Sequence, residues 1–498
     1  MENINQLIGI KKQKLQKMKE MNVNPFPNRC ERTHYISELL EKQENFIENE
    51  EKIIVVGRLN AMRRQGKVGF ANITDNSDKI QIFVRKDTIG EDNYEIFKLF
   101  DLGDFVQIDG TCFKTKVGEF SIRAEKVTIL SKSLKPLPTV KEKIVDGRKQ
   151  QYDKFSNIEL RYRKRYLDLL LNPEVKDTFI LRANIIREIR NFLDAKNYIE
   201  VETPIMQSLY GGANARPFST HHNTLNIDLY LRIALELYLK RLIVGGMERV
   251  YEIGKNFRNE GMDRTHNPEF SMIELYQAFA DYNDMMKITE DMFLHIANTI
   301  FKSDAVKIGE TEISFQKPWL RASMIDLIKD ETGFDASDFD LTKIRNFFQK
   351  HKLEIDEKAG PGKLIEELFE HFVEPKLIQP TFVTDFPKEI SPLAKEKPEN
   401  PLLTERFEIF INGNEYGNAF TELNDPIDQR ERLEAQVKLR EMGDTEANVV
   451  DEDFLEALEY GMPPTGGLGI GIDRLVMLFT NNTSIKEVIL FPQMKPEE

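Results

Sequence analysis

Cysteine, tryptophan and long apolar runs are all scarce in this chain of 498 residues. The two cysteines, Cys30 and Cys112, have no CxxC or Cys/His spacing around them. That excludes a disulfide framework and argues against a zinc site, so both thiols are expected to be reduced and inert. No apolar stretch approaches membrane-spanning length, so no membrane association is expected. The N-terminus, MENINQLIGIKKQ, carries an acidic residue and too short an apolar patch for a signal peptide, which makes the cytoplasm the default location. Positive charge is also in deficit: 69 Lys and Arg against 83 Asp and Glu give a net charge of -14. That argues against nonspecific polyanion binding by the whole surface but does not exclude a local basic patch. Lysines and arginines do concentrate at Lys11–Lys19 and Arg161–Arg165, and each cluster reads either as a solvated helix face or as an RNA contact.

The length provides for two or three domains with a large core. Residues 1–50 form an N-terminal segment of helical periodicity, with Ile4, Leu7, Ile8, Leu15 and Met18 on one side. From Ile53 the apolar period changes to two. Five short strands follow in about 80 residues, which predicts a small Greek-key barrel over 51–135, the OB-fold being the leading form and a generic sandwich the alternative. Residues 136–170 begin with a Lys/Pro-rich stretch and read as a linker. Beyond them, 171–498 mix hairpins and helices without regular βαβ alternation. The expected class is α+β, with a largely antiparallel sheet flanked by helices.

Four segments carry chemistry. Phe257 to Tyr276, FRNEGMDRTHNPEFSMIELY, reads as a long hairpin. Side chains of one parity share a face of a strand, so Phe270, Met272, Glu274 and Tyr276 project together, with Arg258 at the end of the first strand. A ring, an arginine fork and a carboxylate on one concave face suit a nucleotide. Next, Glu408, Glu415 and Glu422 are spaced by seven, as on one helix face. Asn412-Gly413 argues instead for a hairpin turn, which sends Asn418, Phe420 and Glu422 to one side and requires Glu415 to sit at the turn or a bulge. Close carboxylates repel unless a cation lies between them, and Mg²⁺ or a lysine ammonium are the obvious choices. Third, Pro463 to Phe479 is a glycine-rich run entering a helix that bears Arg474 in its first turn, a place that favours an anion. Fourth, Gly211-Gly212 precedes Glu236, an acid among apolar residues that should pair with a cation or a backbone donor.

Together these segments resemble the class II aminoacyl-tRNA synthetases in their lysyl form. YIEVETPIM resembles motif 1, FRNEG with THNPEF motif 2, and GLGIGIDR motif 3. GGANARPF and NEYGNAFTELND look lysyl rather than aspartyl or asparaginyl. The family often has Pro within RIAPELYLKR where this chain has Leu235, a difference that reads as a packing change. The resemblance implies an OB-fold anticodon-binding domain at 51–135 and a class II catalytic domain at 171–498. It also implies ATP and Mg²⁺, L-lysine and tRNA(Lys) as partners, and a homodimer joined through motif 1.

By the same resemblance, Glu422 and Tyr276 would hold the substrate ε-ammonium, with Glu274, Asn418 and Phe420 beside them. Glu236 and the Gly212 carbonyl would hold its α-amino group. Arg258 would bridge the carboxylate and the α-phosphate, and Phe270 and Arg474 would sandwich adenine. Glu260, His266, Asn267 and Gly471 would surround the nucleotide, and Glu408 and Glu415 would bind Mg²⁺. In the barrel, Phe70 would stack an anticodon base while Gln81 and Glu119 read base edges. A neutral amino acid entering would leave a buried carboxylate unpaired, at a cost of about 3–5 kcal/mol. A protein-lysylating paralogue would lack the barrel. A catalytically dead relative would be expected to lose Arg258, Arg474 or the paired carboxylates.

Overall fold

The computed structural model describes residues 2–138, 141–145, 148–152, 155–441 and 448–497. They form two compact units, Met1–Ser156 and Asn157–Glu498.

The first unit opens with helix α1 (Glu2–Glu20) and two short helices, Ile36–Glu41 and Gln43–Glu48. Strands β1 (Lys52–Gln65), β2 (Val68–Thr74), β3 (Lys79–Arg85), β4 (Phe105–Lys114) and β5 (Phe120–Ser131) close into a barrel in the order β1-β2-β3-β5-β4. Closure follows from alternation and from one bend. Ile53, Val55 and Leu59 point inward, and a register shift between Leu59 and Ala61 lets the long strand β1 pair with β4 at one end and β2 at the other. At a second shift, a Cβ on Gly110 would lie 2.1 Å from the Arg123 carbonyl oxygen, so the β4–β5 approach requires glycine there. The Lys11–Lys19 cluster is partly consumed inside this unit: Lys11 Nζ donates to the Leu102 carbonyl at 3.1 Å, and Lys14 pairs with Asp101 at 2.5 Å.

The second unit begins with helices Ile158–Arg163 and Arg165–Leu171, inside the stretch expected to be a linker. Arg165 is fully buried. It donates to the carbonyls of Leu490 (3.1 Å) and Lys486 (2.7 Å) and pairs with Asp168 (2.6 Å), while Arg161 also meets Asp168 at 2.7 Å. The Arg161–Arg165 cluster is thus largely a scaffold, and its charge density masked two helices.

Beyond it come α2 (Pro173–Ala195), β6 (Ile199–Glu200), α3 (Glu236–Val244), β7 (Arg249–Phe257), β8 (Glu269–Ala278), α4 (Tyr282–Ile296), β9 (Leu320–Ser323) and β10 (Thr381–Thr384). Then follow β11 (Arg406–Ile411), β12 (Asn414–Thr421), β13 (Thr465–Gly471) and α5 (Ile472–Thr480). The eight strands form one sheet in the order β9-β10-β11-β12-β13-β8-β7-β6. Interior pairs are antiparallel, as expected, but the outermost pair at each end is parallel. Each parallel pair is joined by a long crossover containing helices, which is what parallel pairing demands. The helices of the β9–β10 crossover, Met324–Thr332, Leu341–His351 and Pro361–Phe372, build their own apolar cluster around Phe348, Leu364 and Phe369.

Strand alternation divides the sheet into two chemistries. Ile273, Leu275, Phe407, Ile409, Ala419, Leu468 and Ile470 face a core built with Ile185, Ile189 and Leu193 of α2, Met285 and Phe293 of α4, and Leu475 and Phe479 of α5. The residues between them on the same strands face a cavity.

Candidate active site

The cavity has a volume of about 420 Å³ and spans the central strands β11, β12, β13 and β8. All sixteen residues given a role in the catalytic domain line it, from Gly212 and Glu236 through Arg258 and Glu274 to Glu422 and Arg474.

Its floor is the glycine-rich run. That run is the strand β13, wedged between β8 and β12, and its alternate residues Gly467, Gly469 and Gly471 face the cavity opposite Tyr276, Glu274 and Met272. A Cβ on Gly467 would lie 1.9 Å from Glu422 Oε1 and 2.6 Å from Tyr276 Cε1. The glycines leave room for side chains from both neighbouring strands to meet over the floor.

The spacing of the three glutamates is strand spacing with a fault in it, not helix spacing. Asn412 and Gly413 turn the β11–β12 hairpin with φ of 51° and 67°, as a type I′ turn requires. The register then shifts from Phe410↔Glu415 to Ile409↔Gly417, leaving Tyr416 as a bulge and swinging Glu415 onto the face of Asn418, Phe420 and Glu408.

At one end of the cavity, three carboxylates are buried together. Glu236 opens α3, Glu274 stands on β8, and Glu422 follows β12. Glu274 Oε1 accepts the Leu235 N–H at 3.0 Å, and Oε2 accepts the Tyr276 hydroxyl at 3.0 Å. A proline at 235 would have no N–H, so the departure at that position is a hydrogen bond to a pocket carboxylate, where the sequence suggested only a packing change. Burial pushes the Glu274 carboxyl up to about 7; Glu236 adds to this, while the Leu235 and Tyr276 bonds pull it back. Burial raises Glu422 well above the ordinary carboxylate range, and Lys240 opposes the shift.

Lys240 is the residue that sequence reasoning missed. It lies one helical turn after Glu236, is fully buried, and its Nζ donates to Glu236 Oε1 at 2.5 Å while forming an ion pair with Glu422 Oε2. Glu422 Oε1 has no hydrogen-bond partner among the described residues. The signal was available: an acid on an apolar helix face invited a cation at i+4.

At the other end are arginines. The Arg258 guanidinium packs 5.1 Å from the Phe270 ring centroid, and burial lowers its proton affinity from the usual value. Arg474, at the start of α5, donates to the Glu415 carbonyl at 2.8 Å, pairs with Glu415 Oε2 at 3.1 Å and contacts His266 Nε2 at 3.0 Å. Glu408 is held by Arg406 at 2.6 Å. Burial pushes Glu408 up to about 8 against the pull of Arg406, and the nearby Glu415 adds to the rise. Among the described residues, no group of three or more His, Cys, Asp or Glu is arranged to hold a metal by protein ligands alone.

One family model, described as tRNA synthetases class II (D, K and N), matches residues 157–495. The chain belongs to that family. A second model, the OB-fold nucleic acid binding domain, matches residues 53–130 and covers the barrel. Curated relatives named Lysine--tRNA ligase include one from Bacillus subtilis, 51% identical over 500 residues, covering 99% of this chain and 98% of the relative. Another, from Halalkalibacterium halodurans, is 50% identical over 501 residues with the same coverage. The class II synthetase fold therefore has its cavity on the open face of the sheet, with motif 2 as β7–β8 and motif 3 as β13–α5.

In the barrel unit, Phe70 on β2 is 37% exposed and stands on the outer face against Phe83, with ring centroids 4.9 Å apart. Gln81 shares that face beside Asn72, and its Oε1 accepts the Ser121 hydroxyl at 3.0 Å. Glu119 is exposed in the turn before β5. Two residues not foreseen extend the platform: Phe113 lies 5.7 Å from Phe83, and the Arg123 guanidinium sits 4.9 Å over Phe113. No helix among the described residues is long and apolar enough to cross a membrane.

Proposed function

We propose that the protein ligates L-lysine to the 3′ end of tRNA(Lys) through a lysyl-adenylate formed with ATP. The observation that carries this reading is a buried carboxylate, Glu422, with one oxygen unpartnered, at the opposite end of a single cavity from Arg258 and Arg474. A cationic side chain is selected at one end, and an anionic carboxylate and nucleotide are received at the other.

The substrate ε-ammonium is taken by Glu422, with Tyr276 beside it, and the α-ammonium by Glu236 and the Gly212 carbonyl. Glu274, Asn418 and Phe420 complete that end. The lysine carboxylate is already an anionic nucleophile, so adenylation needs no general base; it needs placement in line with the α-phosphorus. Arg258 bridges carboxylate and phosphate and offsets the charge that grows there. Phe270 and Arg474 sandwich the adenine, with Glu260, His266, Asn267 and Gly471 around the nucleotide. Pyrophosphate leaves. The terminal tRNA hydroxyl then attacks the adenylate carbonyl and AMP departs.

Glu408 and Glu415 fit a divalent cation: burial, with Glu415 adding to it, raises the proton affinity of Glu408, and Mg²⁺ takes few protein carboxylates, completing its shell with phosphate oxygens. When bound it would neutralise phosphate charge.

Because Lys240 already neutralises one Glu422 oxygen, the penalty for a neutral amino acid lies near the lower bound drawn from the sequence, about 3 kcal/mol or two decades. Residues 51–135 serve as the anticodon-binding domain, with Phe70 as the stacking surface, and 171–498 as the catalytic domain. Exposed Ile199, Ile205 and Met206, on and after the edge strand β6, support a homodimer through this face. The substrates place the protein in the cytoplasm. The test is ATP–pyrophosphate exchange with all twenty amino acids: lysine alone should drive it. Glu422→Gln should raise KM for lysine about 100-fold and leave KM for ATP unchanged; equal losses of both would move Glu422 to the nucleotide end.

A further inference from the structure

Lys240 has no place in the chemistry above, yet it is fully buried at the end of the cavity where lysine is placed. Its Nζ lies between Glu236 and Glu422, the two carboxylates assigned to the two substrate ammonium groups. The Phe420 and Phe454 rings lie 5.4 and 5.9 Å from its Nζ. A buried ammonium is expensive to desolvate and persists only when paired. A helix of this length needs no such pair to dock, since Leu235, Leu239 and Ile243 already bury an apolar face.

Charge counting gives the residue a purpose. Three buried carboxylates, Glu236, Glu274 and Glu422, and one ammonium, Lys240, leave this end two charges negative when every carboxylate is ionised, the state that receives lysine. Lysine brings two ammonium groups to it and hands its carboxylate to Arg258. We infer that Lys240 is a resident counter-cation that sets the charge of the amino-acid pocket to match a dicationic substrate, and is thereby a positioning and specificity-determining residue for lysine. This rests on the placement of lysine given above.

The surroundings support it. The groups facing the Glu236–Lys240–Glu422 cluster are Glu274 and Tyr276 from β8 and Arg406 from β11. Glu274 and Tyr276 add no positive charge, and Arg406 is engaged with Glu408 at 2.6 Å. Burial acts to lower the proton affinity of Lys240, but Glu236 and Glu422 outweigh it and hold the ammonium charged. Burial raises the proton affinity of all three carboxylates, and Lys240 opposes the rise at Glu236 and Glu422; without that ammonium they would hold protons more tightly, and each lysine that bound would have to displace more of them to the buffer.

The test uses the full-length protein and Lys240→Met. Lysine binding is followed by calorimetry in buffers of different ionisation enthalpy at pH 8, and KM for lysine in pyrophosphate exchange is followed from pH 6 to 9. In Lys240→Met about one proton more than in wild type should be released per lysine, KM at pH 7 should rise on the order of 10²-fold, and log KM should fall with pH about one unit of slope more steeply than in wild type. KM for ATP should not move, and Lys240→Arg should keep the wild-type proton count. A purely structural Lys240 would lower kcat or stability in Lys240→Met with the pH slope and proton count unchanged, and that result overturns the inference. If Lys240→Met does not fold, Lys240→Gln replaces it, and a proton count and pH slope equal to those of wild type overturn the inference. Failure of the underlying placement looks different, as wild-type lysine affinity insensitive to Glu422→Gln.

Discussion

Gly467→Ala is the smallest change that reaches the amino-acid end of the cavity. The added Cβ would sit 1.9 Å from Glu422 Oε1 and 2.6 Å from Tyr276 Cε1, where ordinary contact begins near 3.4 Å. Glu422 must therefore retreat by about 1.5 Å and the Tyr276 ring by about 0.8 Å. The backbone at Gly467 is not in the left-handed region, so alanine is compatible with the strand and the fold should persist. A misplacement of about 1 Å in a positioning contact costs on the order of 100-fold in rate. That corresponds to about 2.7 kcal/mol of transition-state stabilisation. Lysine-dependent pyrophosphate exchange should accordingly lose about 100-fold in kcat/KM for lysine. KM for ATP should stay unchanged, because Gly467 lies beneath Glu422 and Tyr276 while Arg474 follows the far end of the strand. A folded Gly467→Ala protein with wild-type lysine kinetics would show that no substrate group sits over Gly467, and the assignment of this end would be wrong.

Arg258→Ala should abolish lysine-dependent exchange, by at least about 10³-fold, while the melting temperature holds; near-normal exchange would remove its assigned role. Phe70→Ala should slow tRNA charging and leave adenylate formation intact, because the barrel is a unit of its own; a parallel fall in exchange would show that it is not an independent anticodon module. Glu274 yields a pH prediction. Its folded pKa of about 7 exceeds the reference value of 4.5, so the ligand-free native state binds the extra proton between these values and stability falls as pH rises through that window. Glu274→Gln removes this dependence and can still accept the Leu235 N–H. Its melting temperature should exceed that of wild type at pH 8, with the gap closing toward pH 5, and a gap constant with pH would refute the assignment.

Much of the architecture could be read locally. Period-two alternation from Ile53 marked the barrel because each strand of a small barrel has one wet and one dry face. Parity on the 269–278 strand placed Phe270, Glu274 and Tyr276 together, and the demand that Glu415 sit at the turn or a bulge followed from parity alone. The helices at 158–171 were not legible. Four basic residues, Arg161, Arg163, Lys164 and Arg165, interrupt their apolar ones, and Arg165 is buried by carbonyl groups more than 300 residues away in sequence. The parallel outer pairs of the sheet were also invisible, because they depend on where long crossovers return.

The sequence by itself determined the residue types of the site, the two-unit organisation and the strand faces, since these follow from local periodicity, turn chemistry and charge. Only the tertiary structure decided which charges meet. It put Lys240 between Glu236 and Glu422, Arg406 on Glu408 and Arg474 on Glu415, and it made the glycine-rich run a cavity floor. The reason is physical: a buried ion is stable only beside its counter-ion, and these partners are brought together by sheet register and helix docking, which no local pattern specifies.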